Sequence, residues 1–217
     1  MEVTTKNISV QKTARYYVAG NLSAQTKNIW FVIHGYGQLA ENFIQQFDFL
    51  LNNETIVIAP EGLSRFYTTS AGNVTGASWM TKEDRGNEIM DYNSYLDSVL
   101  DEVRSGITNT IVKINVLGFS QGVHTAARWF IGSSNKFDGL YLCSSDFPRD
   151  ADFEKLRTKL QFSKMFYIYG DSDGIIPQAS FEKSIRMLKE KNIDFETSVF
   201  EGKHIIHSDT IKKLAGI

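Results

Sequence analysis

Gly118-Phe119-Ser120-Gln121-Gly122 follows the apolar run at residues 114–117 and leads into residues 123–129, which suit a helix. A tight strand-to-helix turn of this composition pushes a serine Oγ out at the carboxyl edge of a sheet, and the flanking glycines relieve crowding around it. The N–H of the next residue, Gln121, then points toward a developing oxyanion at the helix start. A serine hydroxyl is a weak nucleophile at neutral pH, so a base must take its proton and an acid must orient that base. Of the 4 histidines, His204 lies in Phe200-Glu201-Gly202-Lys203-His204, just after the last strand-like run, and is the expected base. His207 is the alternative. His124, one helical turn past Ser120, is directed away from the nucleophile and is expected to be structural, while His34 is expected to brace the loop that it opens.

The acid is expected in Gly170-Asp171-Ser172-Asp173-Gly174-Ile175-Ile176-Pro177, again directly after a strand-like run. Asp173 precedes a glycine and an apolar pair that tuck it inward, whereas Asp171 suits turn capping. Asp146, one strand earlier, is the alternative acid. A second oxyanion donor is expected from His34-Gly35-Tyr36-Gly37-Gln38, which is glycine-rich enough for backbone to approach a ligand. Its Tyr36 N–H is the first choice and its Gly37 N–H the alternative.

These residues need a scaffold that ends several strands at one edge. Continuous apolar runs at 29–33, 55–59, 114–117, 140–143 and 165–169 have the character of strands buried on both faces, and 195–200 is a further candidate. Between them, Leu39, Phe43, Phe47 and Leu50 follow helical spacing, as do Ile89, Tyr92, Leu96, Val99 and Val103, and Phe181, Ile185 and Leu188. The alternation predicts a mainly parallel, twisted sheet with helices on both faces, an α/β architecture. Residues 7–19 alternate loosely up to Gly20-Asn21 and predict an opening antiparallel hairpin. Only one helix fits between Pro148 and Met165, so no inserted cap domain is expected. Residues 62–87 are rich in Gly, Ser and Thr and lack periodicity. They predict a long loop edging the site.

Composition narrows the partners. The 217 residues fit one domain spanning 1–217. With 23 Lys+Arg against 25 Asp+Glu there is no basic excess to neutralise phosphates, so nucleic-acid binding is not expected. The lone Cys143 excludes a disulfide framework and a multi-cysteine metal site. The opening residues lack the basic start and apolar run of a signal peptide, and no apolar run approaches the roughly 20 residues that span a bilayer. The expectation is a cytoplasmic protein without stable membrane insertion, needing neither metal nor cofactor; its oligomeric state stays open.

Together, His34-Gly35-Tyr36-Gly37, Gly118-Phe119-Ser120-Gln121-Gly122, Gly170-Asp171-Ser172-Asp173-Gly174-Ile175-Ile176-Pro177 and Glu201-Gly202-Lys203-His204 resemble the signatures of the α/β-hydrolases. The resemblance is greatest to the phospholipase/carboxylesterase family, which includes acyl-protein thioesterases and small bacterial carboxylesterases. It implies the α/β-hydrolase fold, a triad of Ser120, Asp173 and His204, and an oxyanion hole from the Tyr36 and Gln121 N–H groups. The implied activity is hydrolysis of small-molecule carboxylic esters with small or medium acyl chains. An acyl-thioesterase or lysophospholipase with the same triad is the alternative, ahead of a peptidase or a non-catalytic binding protein. Trp79, a large aromatic in a polar stretch, is a candidate to line the acyl site, with packing of its loop onto the body as the competing role. Phe119 is expected to pack, and Cys143 to fill the core.

Overall fold

A computed structural model describes residues 1–109 and 111–217. Among the described residues nine strands run in chain order as β1 Tyr16–Ala19, β2 Asn28–Ile33, β3 Thr55–Pro60, β4 Ser64–Tyr67, β5 Thr75–Ser78, β6 Lys113–Phe119, β7 Gly139–Cys143, β8 Lys164–Gly170 and β9 Glu196–Phe200. The α-helices are α1 Ala40–Ile44, α2 Arg85–Ser105, α3 Gln121–Gly132, α4 Phe153–Leu160, α5 Gln178–Glu190 and α6 Ser208–Ala215. Seven strands form one sheet in the order β1-β3-β2-β6-β7-β8-β9. Only β1 runs antiparallel to its neighbour; every other pairing in this sheet is parallel.

The apolar strand runs are explained by burial on both sides. Ile29, Phe31 and Ile33 pack with residues of α2, α3, α4 and α5 on one face. Trp30 and Val32, alternating with them, pack with α1 and α6 on the other. Side chains that alternate across a pleated strand thus feed two cores, which is why every second position cannot be polar.

Register carries the strand ends to the places where chemistry was expected. Ile33 pairs with Gly118, so the loop after β2 and the turn after β6 leave the sheet side by side. Gly170 pairs with Phe200, so the loop bearing Asp173 lies beside the loop bearing His204. Parallel strands deliver all of these loops to one carboxyl edge.

Three expectations are corrected. The opening hairpin is absent from residues 7–19: only β1 is a strand, and it pairs with β3 rather than with a preceding partner. Upstream of it, Arg15 turns to the carboxylate of Glu61 at 2.7 Å and Lys12 bonds the Leu63 carbonyl, so side chains anchor this segment where a strand ladder was expected. Residues 62–87 are not a structureless loop, because β4 and β5 form an antiparallel hairpin within them and α2 begins at Arg85. The helix expected across residues 39–50 is α1 followed by a 3₁₀ segment at Gln45–Leu50, kinked at Phe47.

Phe31 is fully buried and meets Trp129 edge-on at 5.0 Å between ring centroids. Phe31→Ala should therefore lower unfolding free energy by about 3–5 kcal/mol. Urea denaturation monitored by tryptophan fluorescence measures it, and a loss under about 1 kcal/mol would contradict this packing.

Candidate active site

Ser120 sits between β6 and α3 with φ 53° and ψ −124°, a conformation that side chains other than glycine's rarely adopt. Such a backbone stores about 1–3 kcal/mol and persists only where its surroundings enforce it. Here the Ser120 N–H donates to the Cys143 carbonyl at 2.9 Å, and the Ser120 carbonyl accepts from the Val123 N–H at 2.9 Å. A Cβ at Gly122 would fall 2.1 Å from the Ile33 carbonyl oxygen, so the turn needs glycine there to lie against β2. A Cβ at Gly35 would fall 3.0 Å from the Ser120 Cβ, which fixes how near the loop after β2 comes to the serine.

Asp173 and His204 are brought together as expected. His204 Nδ1 lies 2.7 Å from Asp173 Oδ2. The other carboxylate oxygen accepts the Ile175 and Ile176 N–H groups, both at 2.9 Å, so the turn of the loop itself orients the acid. The Asp173 side chain is 1% exposed and that of His204 11%. With Nδ1–H committed to the carboxylate, the imidazole presents its unprotonated Nε2 as the proton acceptor. Phe119 holds the ring from the other side, its centroid 4.7 Å from that of His204. Asp171 takes the capping role, accepting the Gly202 N–H at 3.1 Å and joining the acid and histidine loops. Its carboxyl is held below the usual range by that bond first and by the Ser172 hydroxyl second.

The alternatives have other partners. Asp146 accepts from His124 Nε2 at 2.9 Å. His207 caps α6 through Thr210 and stacks on Phe200 at 4.5 Å. In the loop after β2, the Gly35 N–H is bound to Gln38 Oε1 and the Gly37 N–H to the Ala77 carbonyl. Among the described residues the N–H groups of Tyr36 and Gln121 have no protein acceptor, which leaves both available to a ligand oxygen.

Trp79 does not line an acyl site. It is 2% exposed, donates its indole N–H to the His34 carbonyl at 2.9 Å, and packs on the His34 ring at 5.0 Å. The competing role, packing its loop onto the body, is the one it fills. The reason is that its indole N–H finds a partner inside, which an exposed cleft wall would not offer.

Two contributors had no sequence signal. The Gln121 side chain binds the segment after β5: its Oε1 accepts the Trp79 N–H at 3.1 Å and its Nε2 donates to the Ser78 hydroxyl and Met80 carbonyl, each at 3.0 Å. Asp150 is gripped by Arg128 and Arg85 at 2.9 and 2.8 Å. Partial burial opposes its charge, yet those two guanidinium bonds hold its carboxyl down to about 2. Among the described residues, no group of three or more His, Cys, Asp or Glu could hold a metal ion.

A sequence model described as Phospholipase/Carboxylesterase matches residues 18–216. No curated protein matches the sequence. Among solved structures, the fold is similar to that of the esterase PE8, at 21% identity and a TM-score of 0.66, over 94% of this chain and 99% of that one. It is similar to acyl-protein thioesterase 2 of Zea mays at 15% identity and a TM-score of 0.64, covering 94% and 97%. The Bacillus cereus carboxylesterase gives 15% identity and a TM-score of 0.64, covering 94% and 92%.

The brace under the loop after β2 is testable by pH. His34 is fully buried; its Nε2 accepts the Gly62 N–H at 2.9 Å and its Nδ1 faces the Gly35 carbonyl at 2.7 Å, an arrangement that requires the neutral ring. Burial pushes its pKa below the ordinary 6.5, against smaller opposing effects of the Gly35 carbonyl and Glu61. As pH falls below about 6.5 the unfolded chain takes this proton before the folded one does. Stability is thus full above that pH and declines below it by up to about 1.4 kcal/mol per unit. Unfolding measured from pH 7.5 to 5.5 should show a shallower decline for His34→Gln than for the wild type; equal slopes would contradict the assignment.

Proposed function

The chain belongs to the phospholipase/carboxylesterase family of α/β-hydrolases, and from that premise we propose that it is a serine carboxylesterase acting as one domain over residues 1–217. Its substrates are carboxylic esters of small or medium acyl chains. The observation that carries this reading is the 2.7 Å bond between His204 and a buried, doubly anchored Asp173, at the sheet edge where Ser120 is held in a strained turn.

Ser120 Oγ attacks the ester carbonyl while His204 Nε2 takes its proton, and Asp173 stabilises the resulting imidazolium. The negative charge gathered on the carbonyl oxygen is received by the Tyr36 and Gln121 N–H groups, aided by the amino end of α3. Collapse expels the alcohol, which leaves with the proton from His204. Water then attacks the acyl-enzyme by the same route in reverse and frees the carboxylic acid and Ser120. A buried free Cys143 suits a reducing compartment, and we place the enzyme in the cytoplasm.

A thioesterase reading uses the same steps with a thiolate as leaving group, and the fold's similarity to a plant acyl-protein thioesterase favours keeping it as the second reading. A panel of p-nitrophenyl esters of graded chain length, run beside acyl thioesters, decides between them. Esters should be turned over faster; a preference for long acyl thioesters over every ester would reverse the order. Ser120→Ala should abolish both turnover and labelling by a fluorophosphonate, and Asp173→Asn should cost about 10⁴ in kcat. Undiminished labelling of Ser120→Ala would exclude Ser120 as the nucleophile.

A further inference from the structure

Glu61 directly follows β3 at the carboxyl edge of the sheet, and its side chain is 2% exposed. A buried carboxylate needs firm partners. Arg15 grips both oxygens: its Nε donates to Oε1 at 2.7 Å and its Nη2 to Oε2 at 3.2 Å, the forked geometry in which such pairs are strongest. Arg65 adds a longer contact to Oε1 at 3.4 Å. The two backbones are locked in step as well. The Glu61 N–H donates to the Arg15 carbonyl at 3.1 Å, and that carbonyl also accepts the Tyr95 hydroxyl of α2 at 2.6 Å.

The remaining bond of this carboxylate runs toward the reaction centre. Its Oε2 accepts the Ala40 N–H at 3.4 Å, where the loop after β2 ends and α1 begins. Leu39, at the cap position of α1, makes no side-chain bond, so Glu61 does from a distance what a capping side chain does locally. The start of the same loop is held by the adjoining residue, since the Gly62 N–H donates to His34 Nε2 at 2.9 Å. Gly62 in turn lies so near the end of β5 that a Cβ there would fall 2.6 Å from the Ser78 carbonyl oxygen. Residues 61 and 62 thus clamp both ends of one loop. Tyr36, whose N–H has no protein acceptor among the described residues, stands between the two clamped ends.

We infer that Arg15 and Glu61 are a positioning pair for the oxyanion donor: the guanidinium locks the carboxylate, and the carboxylate fixes the loop that presents the Tyr36 N–H. This rests on the hydrolase reading and adds two residues to its machinery, neither of which touches the reacting atoms. The bond to Ala40 is long, so a shift of a few tenths of an ångström in its acceptor releases it. The forked grip of Arg15 is what prevents that shift. An oxyanion donor is effective only when held in place before charge develops, and a loop free at one end must be ordered during the reaction itself. The loss therefore falls on the transition state and spares the binding of the neutral ester.

Arg15→Ala, Glu61→Met and the double variant test the pair with p-nitrophenyl butyrate, below each melting temperature and with kcat expressed per serine titrated by a fluorophosphonate. Each single variant should lose about 10- to 100-fold in kcat, a part of the roughly 10²–10³-fold that removal of an oxyanion donor costs. Acylation and deacylation both pass through an oxyanion, so both slow together and KM should stay within about twofold. Because Arg15 acts through Glu61, adding Arg15→Ala to Glu61→Met should lower kcat by less than about twofold more. Hexyl trifluoromethyl ketone gives a readout that lost stability alone would not move. Ser120 Oγ adds to its carbonyl carbon, the π pair moves to the oxygen and the serine proton passes to His204, so its Ki should rise by the factor by which kcat falls. Should Glu61→Met fail to fold, Arg15→Ala, whose side chain is 44% exposed, carries the test through kcat and Ki. A kcat within about twofold of wild type in either folded variant, a change in KM alone, an unchanged Ki, or losses that simply multiply in the double variant would overturn the pair while leaving the hydrolase intact. A wild type that neither reacts with the fluorophosphonate nor turns over the ester would instead remove the hydrolase reading, and this assignment with it.

Discussion

At Gly122 the first turn of α3 presses on the end of β2, where even a methyl group would sit 2.1 Å from the Ile33 carbonyl oxygen. This close approach sets the direction in which α3 leaves the sheet, and hence the strained backbone of Ser120 just before it. It also puts the first N–H groups of α3 beside the loop after β2. The two unclaimed N–H groups, of Tyr36 and Gln121, are therefore brought to one place by backbone packing between two elements, with no side chain required to do so. That packing is affordable only because both β2 and β6 are central strands buried on each face, where a displaced helix would open a cavity.

The remaining parts hold the loop after β2 against that helix. The β4–β5 hairpin does so through backbone: Ala77 accepts from Gly37 and donates to Gln38, at 2.9 and 3.2 Å. Tyr36, 63% exposed, stacks on Phe66 of β4 at 5.0 Å, so its ring is anchored outward while its N–H stays unclaimed. Gln121 closes the circuit by binding residues 78–80 with its side chain. One residue thus opens α3 with an unclaimed backbone N–H and binds the neighbouring wall with its amide, and His34 supports that wall from beneath through Gly62 and Trp79.

What was legible in the sequence was local or periodic. The Gly118–Gly122 turn declares itself because an apolar run, a glycine-flanked serine and a helical stretch are contiguous, and the buried strands because their apolar runs are unbroken. The Asp173–His204 pairing was legible at one remove, since each residue directly follows a strand-like run and parallel order brings those ends together. The hairpin was not, because its strands are only four residues long, and β5, made of Thr, Gly, Ala and Ser, carries little alternation and is held by backbone bonds to a distant loop. The opening segment misled in the opposite way. Its loose alternation suits a strand, but Arg15 found the buried Glu61, and an ion pair between residues 46 positions apart leaves no periodic trace. Trp79 misled because a large aromatic among polar neighbours reads the same whether it covers a cleft or a backbone carbonyl.

Charge divides along the same edge. On the β2 side, Glu61 is buried with Arg15 and Arg65 on its oxygens, and it also accepts the Ala40 N–H at the start of α1, so its charge is consumed in holding structure. On the α3 side, Asp150 is likewise consumed by Arg128 and Arg85, joining the loop after β7 to the start of α2. Both carboxylates therefore act through geometry, each fixing two segments of the chain against one another at the edge where the strands end. Asp173 differs from both: its oxygens go to His204 and to two N–H groups of its own loop, so its charge meets an imidazole where theirs meet guanidinium groups.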